Sequence, residues 1–416
     1  MCGFSGFTNP SSEKMAESIL KNMMAPIKHR GPDAESIFIN DKIALGHYRL
    51  SIIDIYGGQQ PRIDNEGKSY LVFNGEIYGY KKHAKLLQSY KINLKDQSDT
   101  EVLFQSLMHL GVEKTLEMID GMYAFVFYEG KNDTIWLIRD PMGEKPLYYS
   151  TFKNNIYFSS EASGVVASNT NKPKNINKDA LLQYLHLDYI PEEKSLFEGV
   201  QKILPGQYIK ISKNEIIKKN YFSFSQNQKK ITTLKEATES IDFLLEKSIK
   251  ERLIADVPVG IFLSGGIDSS LIAYYAKKFH SNIASFTIKM KNDTYDESSY
   301  AKLVAEKLGI QNNIAEFNSN EIIKSLEIIE NKMDEPLGDP SILPTFLLSK
   351  FAKESVKVAL SGDGADELFC GYAPFKSVQY LKFLSLIPQN FGHIITSFME
   401  KIPSQDNYMS YHFLIK

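Results

Sequence analysis

The sequence predicts two domains of different class. A layered α+β half runs over residues 2–212 and an α/β half on a mostly parallel sheet over residues 233–416. Three observations carry this. The chain has 416 residues, too many for one core. Its first half is written in aromatic and β-branched runs broken by turns, and its second in apolar strands alternating with helical periods. Between them, residues 213–232 are rich in Lys, Asn, Ser and Gln and read as a linker.

In order, strands are expected at KIALGHYRLSII (42–53), SYLVFNGEI (69–77), YAFVFYEG (123–130), TIWLIRD (134–140), PLYYST (146–151) and IYFSSE (156–161). Helical spacing appears between them at 13–27 and 100–119. Strands with interposed helices fit sheets covered by helices. Past the linker, a helix (236–254) precedes the strand VGIFL (259–263); a helix (268–279), a strand (283–290) and a further helix (298–308) follow. That alternation is βαβ grammar.

Composition excludes several classes. The net charge of −2 and the lack of a dense basic block argue against nucleic acid. Two cysteines, Cys2 and Cys370, give neither a disulfide framework nor metal-type spacing, and Cys370 is expected to be a buried apolar residue. With no long apolar run and no signal pattern, the expected location is the cytoplasm. Basic residues are mostly Lys. The few guanidiniums, Arg30, Arg49, Arg62, Arg139 and Arg252, are therefore candidates for bidentate work.

SGGIDSS (264–270) follows a buried-looking strand and opens a helix. Gly265 and Gly266 let backbone N–H groups approach a ligand, the helix start adds more, and Ser264, Ser269 and Ser270 supply hydroxyls. The loop suits a pyrophosphate, with Asp268 free to hold Mg2+; a Gly turn in which Asp268 caps the helix is the plainer alternative. A second strand ends in SGDGADE (361–367), where Asp363, Asp366 and Glu367 crowd one turn and call for a shared cation. Two such loops at strand carboxyl ends converge on one crevice. The pair resembles the PP-loop ATP pyrophosphatases, which form an acyl-adenylate and release pyrophosphate.

The chain begins MCGFSGF. Once the methionine is removed, a thiol and a free α-amine share Cys2, a nucleophile with its own base. Nothing in the sequence pairs His29 or His47 with it. Asn74 and the Gly75 N–H, in NGE (74–76), offer two convergent donors for an oxyanion. Arg49 suits a carboxylate, while Glu76 and Asp99 suit an ammonium. A carboxylate clamp, an ammonium site and an amide-attacking thiol together imply glutamine.

MCGFSGF, HRGPD, GHYRLSIIDIYGGQQP, NGEIY, SDTE, DGMYAFVFY and RDPMGEKPLYY resemble the class II glutamine amidotransferase domain, and with the PP-loop half the chain resembles glutamine-hydrolysing asparagine synthetase from residue 2 to about 375. The resemblance implies an N-terminal nucleophile hydrolase fold (αββα layers) followed by a PP-loop ATP pyrophosphatase domain. It implies Cys2 as nucleophile, Asn74 and Gly75 as oxyanion donors, and Arg49, Leu50, Ser51, Ile52, Ile53, Glu76 and Asp99 around glutamine. It also implies Leu263, Ile288, Ser361 and Gly362 around ATP, Asp268 and Asp366 as Mg2+ ligands, and Asp363 in adenylate formation. The reaction implied takes aspartate, glutamine and ATP to asparagine, with ammonia channelled between the sites and no membrane involved. A homodimer stays open, as do a related amidotransferase acting on another carboxylate and a truncated homologue with partial activity.

Three departures stand out. Relatives usually carry Asn at Gly79 and Gly at Cys370. Family members also continue past the acidic loop through a Lys-containing segment and an Arg- and Pro-bearing motif; no counterpart is found before FLIK (413–416), so the synthetase half is expected to be incomplete. The acceptor site is placed on 334–350, where Asp339 and Ser341 read equally as ligands or as a helix cap.

Overall fold

A computed structural model describes residues 1–152, 155–168, 175–213, 215–224, 231–290, 296–372 and 375. The amphipathic stretch after Phe375 and the FLIK end lie outside the described residues.

The first domain contains β1 (Gly3–Thr8), β2 (Ala34–Ile39), β3 (Ile43–Arg49), β4 (Arg62–Ile63), β5 (Tyr70–Tyr78), β6 (Asp120–Glu129), β7 (Thr134–Arg139), β8 (Tyr148–Phe152), β9 (Asn155–Ser159), β10 (Gln201–Lys202), β11 (Gln207–Ile211) and β12 (Ile216–Asn220). Its helices are α1 (Glu13–Met24), α2 (Tyr80–Ser89), α3 (Asp99–Leu110), α4 (Val112–Met118), α5 (Ala162–Val166) and α6 (Lys178–Leu187). The strands form two six-stranded sheets, β10-β8-β9-β1-β3-β2 and β12-β11-β7-β6-β5-β4, with antiparallel pairing.

Strand alternation turns these sheets into layers. Phe4, Ile43 and Leu45 of one sheet meet Val72, Ala124 and Val126 of the other in a shared core. On the far side of the second sheet, Leu71, Phe73, Phe125 and Phe127 pack against Leu103, Phe104 and Leu107 of α3. On the far side of the first, Phe7, Ala44 and Tyr48 pack against Ala16, Leu20 and Met23 of α1. The order is helix, sheet, sheet, helix, the αββα arrangement expected.

Local chemistry moved several boundaries. The helical spacing over 100–119 breaks at Gly111, whose φ of +82° ends α3 and starts α4. The stretch 13–27 is α-helical only to Met24 and continues as a 3-10 turn over Ala25–Arg30, with Pro26 near its start. The strand expected over 42–53 leaves the sheet at Arg49, freeing RLSII as a loop. The linker was set too early: residues 216–220 form β12, an edge strand along β11 with Ile217 opposite Lys210.

The second domain has α7 (Leu234–Arg252), β13 (Val259–Phe262), α8 (Ile267–Phe279), β14 (Ala284–Lys289), α9 (Ser298–Leu308), β15 (Gln311–Glu316), α10 (Ser319–Glu330), α11 (Ile342–Ala352), β16 (Val358–Leu360) and α12 (Ala365–Phe369). The sheet order is β15-β14-β13-β16, with every pair parallel. The chain leaves β13 for β14 on one side and returns to β16 on the other, so the crevice between β13 and β16 is the topological switch point.

Two clamps join the domains. Near the start of β13, the Asp256 N–H donates to the Ile52 carbonyl at 2.9 Å, and the Asp256 carboxylate accepts the Asp54 N–H at 2.7 Å. Lys357, just before β16, pairs with Asp33 at 2.7 Å. The second clamp is DEPLG (334–338). Asp334 accepts the Ser163 N–H at 2.8 Å, and the Gly338 N–H donates to the Asp188 carbonyl at 2.7 Å. Glu335 accepts the Leu196 N–H at 2.7 Å and the Tyr148 hydroxyl at 2.9 Å, and pairs with Lys202 at 2.9 Å.

Glu335 is therefore an anchor for three groups of the other domain. Replacing it by Ala strands the Tyr148 hydroxyl, the Leu196 N–H and the Lys202 ammonium, and should cost about 2–4 kcal/mol. Glu335→Gln keeps a hydrogen-bonding side chain and should cost less. Urea unfolding of the three proteins checks this; a midpoint unmoved by Glu335→Ala would show the clamp carries no stability.

Candidate active site

The first pocket is bordered by residues from six separate segments. Met1 and Cys2 precede β1; Arg49, Leu50, Ile52 and Ile53 come from the loop after β3; Asn74, Gly75 and Glu76 from β5; Asp99 and Thr100 from the start of α3; and Lys145 from the turn after β7. Gly58, Gln60, Phe73 and Met122 complete the wall. Of the glutamine-contacting set read from the sequence, only Ser51 is not on this wall; its N–H donates to Asp33 at 2.8 Å.

Cys2 is held from both sides. Arg30 Nε donates to its carbonyl at 3.0 Å while Arg30 Nη1 pairs with Glu161 at 2.7 Å. The Leu50 N–H donates to its sulfur at 3.4 Å. Burial pushes the thiol above its ordinary range, and the Leu50 N–H pulls the other way. The α-amine of Met1 is driven down to about 6, chiefly by burial. A buried thiol disfavours ionising on its own, and a largely neutral amine is suited to take its proton. The histidines do not compete: His47 is buried on the Phe73 carbonyl and depressed to about 4 by burial, and His29 faces Glu161 at 3.0 Å.

Asn74 is fully buried, and neither its side-chain nitrogen nor its oxygen has a hydrogen-bond partner. An orphaned buried amide costs stability unless something else pairs with it. It stands on the wall of the pocket that holds the thiol. At Gly75 a Cβ would collide with the Met122 carbonyl and lie 2.7 Å from the Tyr123 Cα, so only glycine permits this approach of β5 to β6.

Electrostatics divide the pocket. Asp99 accepts the N–H groups of Ile77 and Thr100 at 3.0 and 2.8 Å, yet burial raises it to about 6. Burial, then the charge of Asp99, raises Glu76 to about 7. Two carboxylates kept from easy ionisation await a cation. Arg49 is not the free clamp expected from sequence. Its Nη2 donates to the Asp54 carbonyl at 2.7 Å and the Ile53 carbonyl at 3.4 Å, and its Nη1 to the Ile55 carbonyl at 3.2 Å. The loop after β3 folds back over the guanidinium, and Gly58 (φ +63°) leaves room for it: a Cβ there would sit 2.7 Å from Nη2.

Sequence reading missed Lys145, Gln60 and Thr100. The signal for Lys145 was present in RDPMGEKP. Asp140, fully buried, accepts N–H groups of Tyr123, Met142, Glu144 and Lys145 and winds that motif into a turn. Arg139 locks it with bonds to the Gly143, Lys145 and Ile203 carbonyls. Gln60 accepts the Phe73 N–H at 2.6 Å and so sets the strand that carries Asn74.

The second site lies at the carboxyl ends of β13 and β16. Leu263 is buried and its backbone is bonded to β14, at the Phe286 carbonyl and the Thr287 hydroxyl. Gly265 (φ +86°) packs against the start of α9, where a Cβ would be 2.5 Å from the Ala301 nitrogen. The Ser264 and Ser269 hydroxyls bond each other at 3.0 Å, and the Gly266 N–H donates to the Ser264 hydroxyl at 3.2 Å. Gly266 itself is the N-cap of α8 and no side chain caps the helix, which sets aside the cap role for Asp268. The loops touch: a Cβ on Gly362 would be 3.0 Å from the Asp268 Cβ and 3.1 Å from the Ser269 nitrogen. Ile288 is half-buried on β14, the Ser361 hydroxyl donates to Asp363 at 2.8 Å, and Asp366 stands in the first turn of α12.

Among the described residues no cluster of three or more His, Cys, Asp or Glu could hold a metal ion. Asp268 stands in the first turn of α8 and Asp366 in the first turn of α12, each beside one of the two loops that meet at Gly362.

Three other expectations are corrected or narrowed. Cys370 is exposed, not buried, because it ends α12 in the left-handed region at φ +58°. Asp339 accepts the Ser341 N–H at 2.8 Å in the turn before α11, and neither side chain caps the helix, while the segment before it is spent on the other domain. Gly79 has φ +62°, a conformation open to Asn as well. No helix among the described residues is long and apolar enough to cross a membrane.

Comparison with known proteins agrees with both halves. Residues 1–222 match the model of the glutamine amidotransferase domain and residues 240–410 that of asparagine synthase. The chain is 36% identical over 393 residues to asparagine synthetase [glutamine-hydrolyzing] 1 of Bacillus subtilis, covering 93% of this chain and 61% of that protein. It is 35% identical over 413 residues to a putative asparagine synthetase [glutamine-hydrolyzing] 2 of Methanocaldococcus jannaschii, covering 94% and 79%. The chain thus spans about three fifths of the length of the first of these relatives. Among solved structures, a glutamine phosphoribosylpyrophosphate amidotransferase of B. subtilis matches at TM-score 0.40 and 16% identity over 75% of this chain and 65% of that one. With both domain models met in order and a relative 35% identical over most of both chains, the chain belongs to the glutamine-hydrolysing asparagine synthetase family.

Proposed function

We propose that the chain hydrolyses glutamine at Cys2 and delivers the ammonia to an aspartate carboxylate activated by ATP, making asparagine. The observation that carries this is the thiol of Cys2 sharing a pocket with a buried, unpartnered Asn74 amide and two carboxylates poised for an ammonium.

With Met1 removed, the α-amine of Cys2 takes the thiol proton as sulfur attacks the side-chain amide carbon of glutamine. The oxyanion forms against Asn74 Nδ2 and the Gly75 N–H. Collapse breaks the carbon–nitrogen bond, the proton leaves with ammonia, and a thioester remains. Water then releases glutamate and restores the thiol. Glu76 and Asp99 hold the substrate ammonium. Arg49 both shapes the loop and faces the substrate carboxylate.

At the second site, the N–H groups at the start of α8 and the serines of 264–270 receive the ATP phosphates, with Leu263, Ile288, Ser361 and Gly362 beside the nucleotide. Asp268 and Asp366 would hold Mg2+, which supplies charge neutralisation for departing pyrophosphate. The aspartate carboxylate attacks the α-phosphorus and pyrophosphate leaves; ammonia then attacks the aspartyl-AMP carbonyl and AMP leaves. Asp363 serves adenylate formation. In neutral water most ammonia is ammonium and cannot attack, so passage inside the protein, out of solvent, is part of the proposal.

Cys2→Ala should lower glutaminase turnover at least about a thousandfold, while pyrophosphate release driven by added ammonium and aspartate continues. Glutaminase activity surviving the substitution would refute the assignment, and running other carboxylic acids in the pyrophosphate assay tests the acceptor.

The carboxylates also fix a pH dependence. Both must be ionised to pair with the substrate ammonium, and both titrate high in the empty pocket, Glu76 about 7 and Asp99 about 6. Bound ammonium lowers both, so affinity is full above pH ~7 and falls as pH drops through 7 and then 6. KM for glutamine should therefore rise on acidification in two steps. Glu76→Gln should remove the upper step and raise KM about tenfold or more at pH 8. A KM flat from pH 8 to 5.5 would exclude these groups as the ammonium site.

A further inference from the structure

Four charged side chains border the first pocket, and three have evident work. Glu76 and Asp99 form the acidic pair, and Arg49 is bonded to the carbonyls of residues 53–55. The fourth, Lys145, is 6% exposed. Only its backbone is engaged, through its N–H to Asp140 and its carbonyl to Arg139. Its ammonium makes no hydrogen bond and no ion pair with any described residue. A cation this buried and unpaired is costly to fold. The cost is also deliberate in construction, since the Asp140 turn and three bonds from Arg139 fix the backbone that presents it.

We infer that Lys145 is a positioning residue of the glutamine-hydrolysing site: its buried ammonium, without an ion-pair partner and on the wall of the pocket that holds residues 1 and 2, keeps the α-amine that Cys2 carries once Met1 is removed neutral, so that the amine can accept the thiol proton. The inference rests on the reading of Cys2 as the nucleophile. A fixed positive charge near an amine disfavours a second one there. In the structure the terminal amine is that of Met1, one residue away on the same pocket wall; there burial opposes protonation, Arg30 and Lys145 add to it, and Cys2 and Glu76 act against it.

The other charges around the amine do not substitute for Lys145. Arg30 reaches from the 3-10 turn, but its charge is matched by Glu161 at 2.7 Å. Arg49, from the end of β3, bears on the thiol, as does Asp99 from α3. Glu76, from β5, favours the ammonium form and grows more effective once glutamine has ionised it. Lys145 is then the group that offsets Glu76 when substrate is bound.

The test uses the full chain with Met1 removed, in wild-type, Lys145→Met, Lys145→Gln and Lys145→Arg forms. Two quantities are read against pH: the rate at which dinitrofluorobenzene labels the α-amine, and kcat for glutamine hydrolysis. In the Met and Gln variants both the labelling midpoint and the acid limb of kcat should move up by about one pH unit, and Arg should restore them. The labelling needs no activity, so it reports even on a slow variant. Unmoved midpoints with a raised KM would make Lys145 a substrate ligand and overturn the inference. So would an equal loss of kcat at every pH with a lowered melting temperature, which marks a structural role. Cys2→Ala in the same assay separates the two levels: if it still hydrolyses glutamine, the nucleophile reading fails, and if it is inactive while Lys145→Met shifts nothing, only this inference does.

Discussion

A chain terminus is the least ordered part of most proteins, and here the proposed nucleophile sits on the second residue. What overcomes the fraying is the hold of Arg30 on the Cys2 carbonyl, with its other end pinned to Glu161. Gly3 lies so close that a Cβ there would be 2.9 Å from the Arg30 Cδ. The strand that follows is no edge: β1 pairs with β3 on one side and β9 on the other. Leu50 then closes on the sulfur from the loop beyond β3. Without these holds the thiol would have no fixed relation to Asn74 on the opposite sheet, and proximity could contribute nothing to rate.

That fixed relation explains why the pocket tolerates what a core does not. An unpartnered buried amide, two hard-to-ionise carboxylates and an unpaired ammonium all oppose folding. They are affordable because the four-layer core around them is continuous and apolar. The amide and the two carboxylates are also groups that a zwitterionic ligand with a polar side-chain amide would satisfy.

The fold and most of the residues that border the first pocket were legible in the sequence, because strand alternation, βαβ grammar and Gly-spaced loops are local patterns. Cys2, Asn74, Glu76 and Asp99 come from segments nearly a hundred residues apart, yet each sat in a short motif. What was not legible depends on contacts made at a distance. Nothing near Arg49 says that the loop after it folds back onto its guanidinium. The role of RDPMGEKP is hidden in the Asp140 turn, which exists only when four N–H groups converge. The segment 334–338 read as substrate wall because its partners, Ser163, Asp188, Leu196 and Lys202, lie far back in the chain. Cys370 was misjudged because its place is set by the backbone of a helix end, not by polarity.

The clamps between domains bear on how two chemistries share one chain. Asp256 grips the backbone of Ile52 and Asp54, and Lys357 grips Asp33, which itself holds the Ser51 N–H. Ile52, Asp54 and Ser51 belong to the loop that borders the first pocket and covers Arg49. Asp256 and Lys357 in turn stand just before β13 and β16, whose far ends carry the two loops of the second site. The contact at Asp256 and Lys357 is short-ranged and polar, made of one backbone–backbone bond, one backbone–carboxylate bond and one half-exposed ion pair. Such a joint holds register without welding the domains.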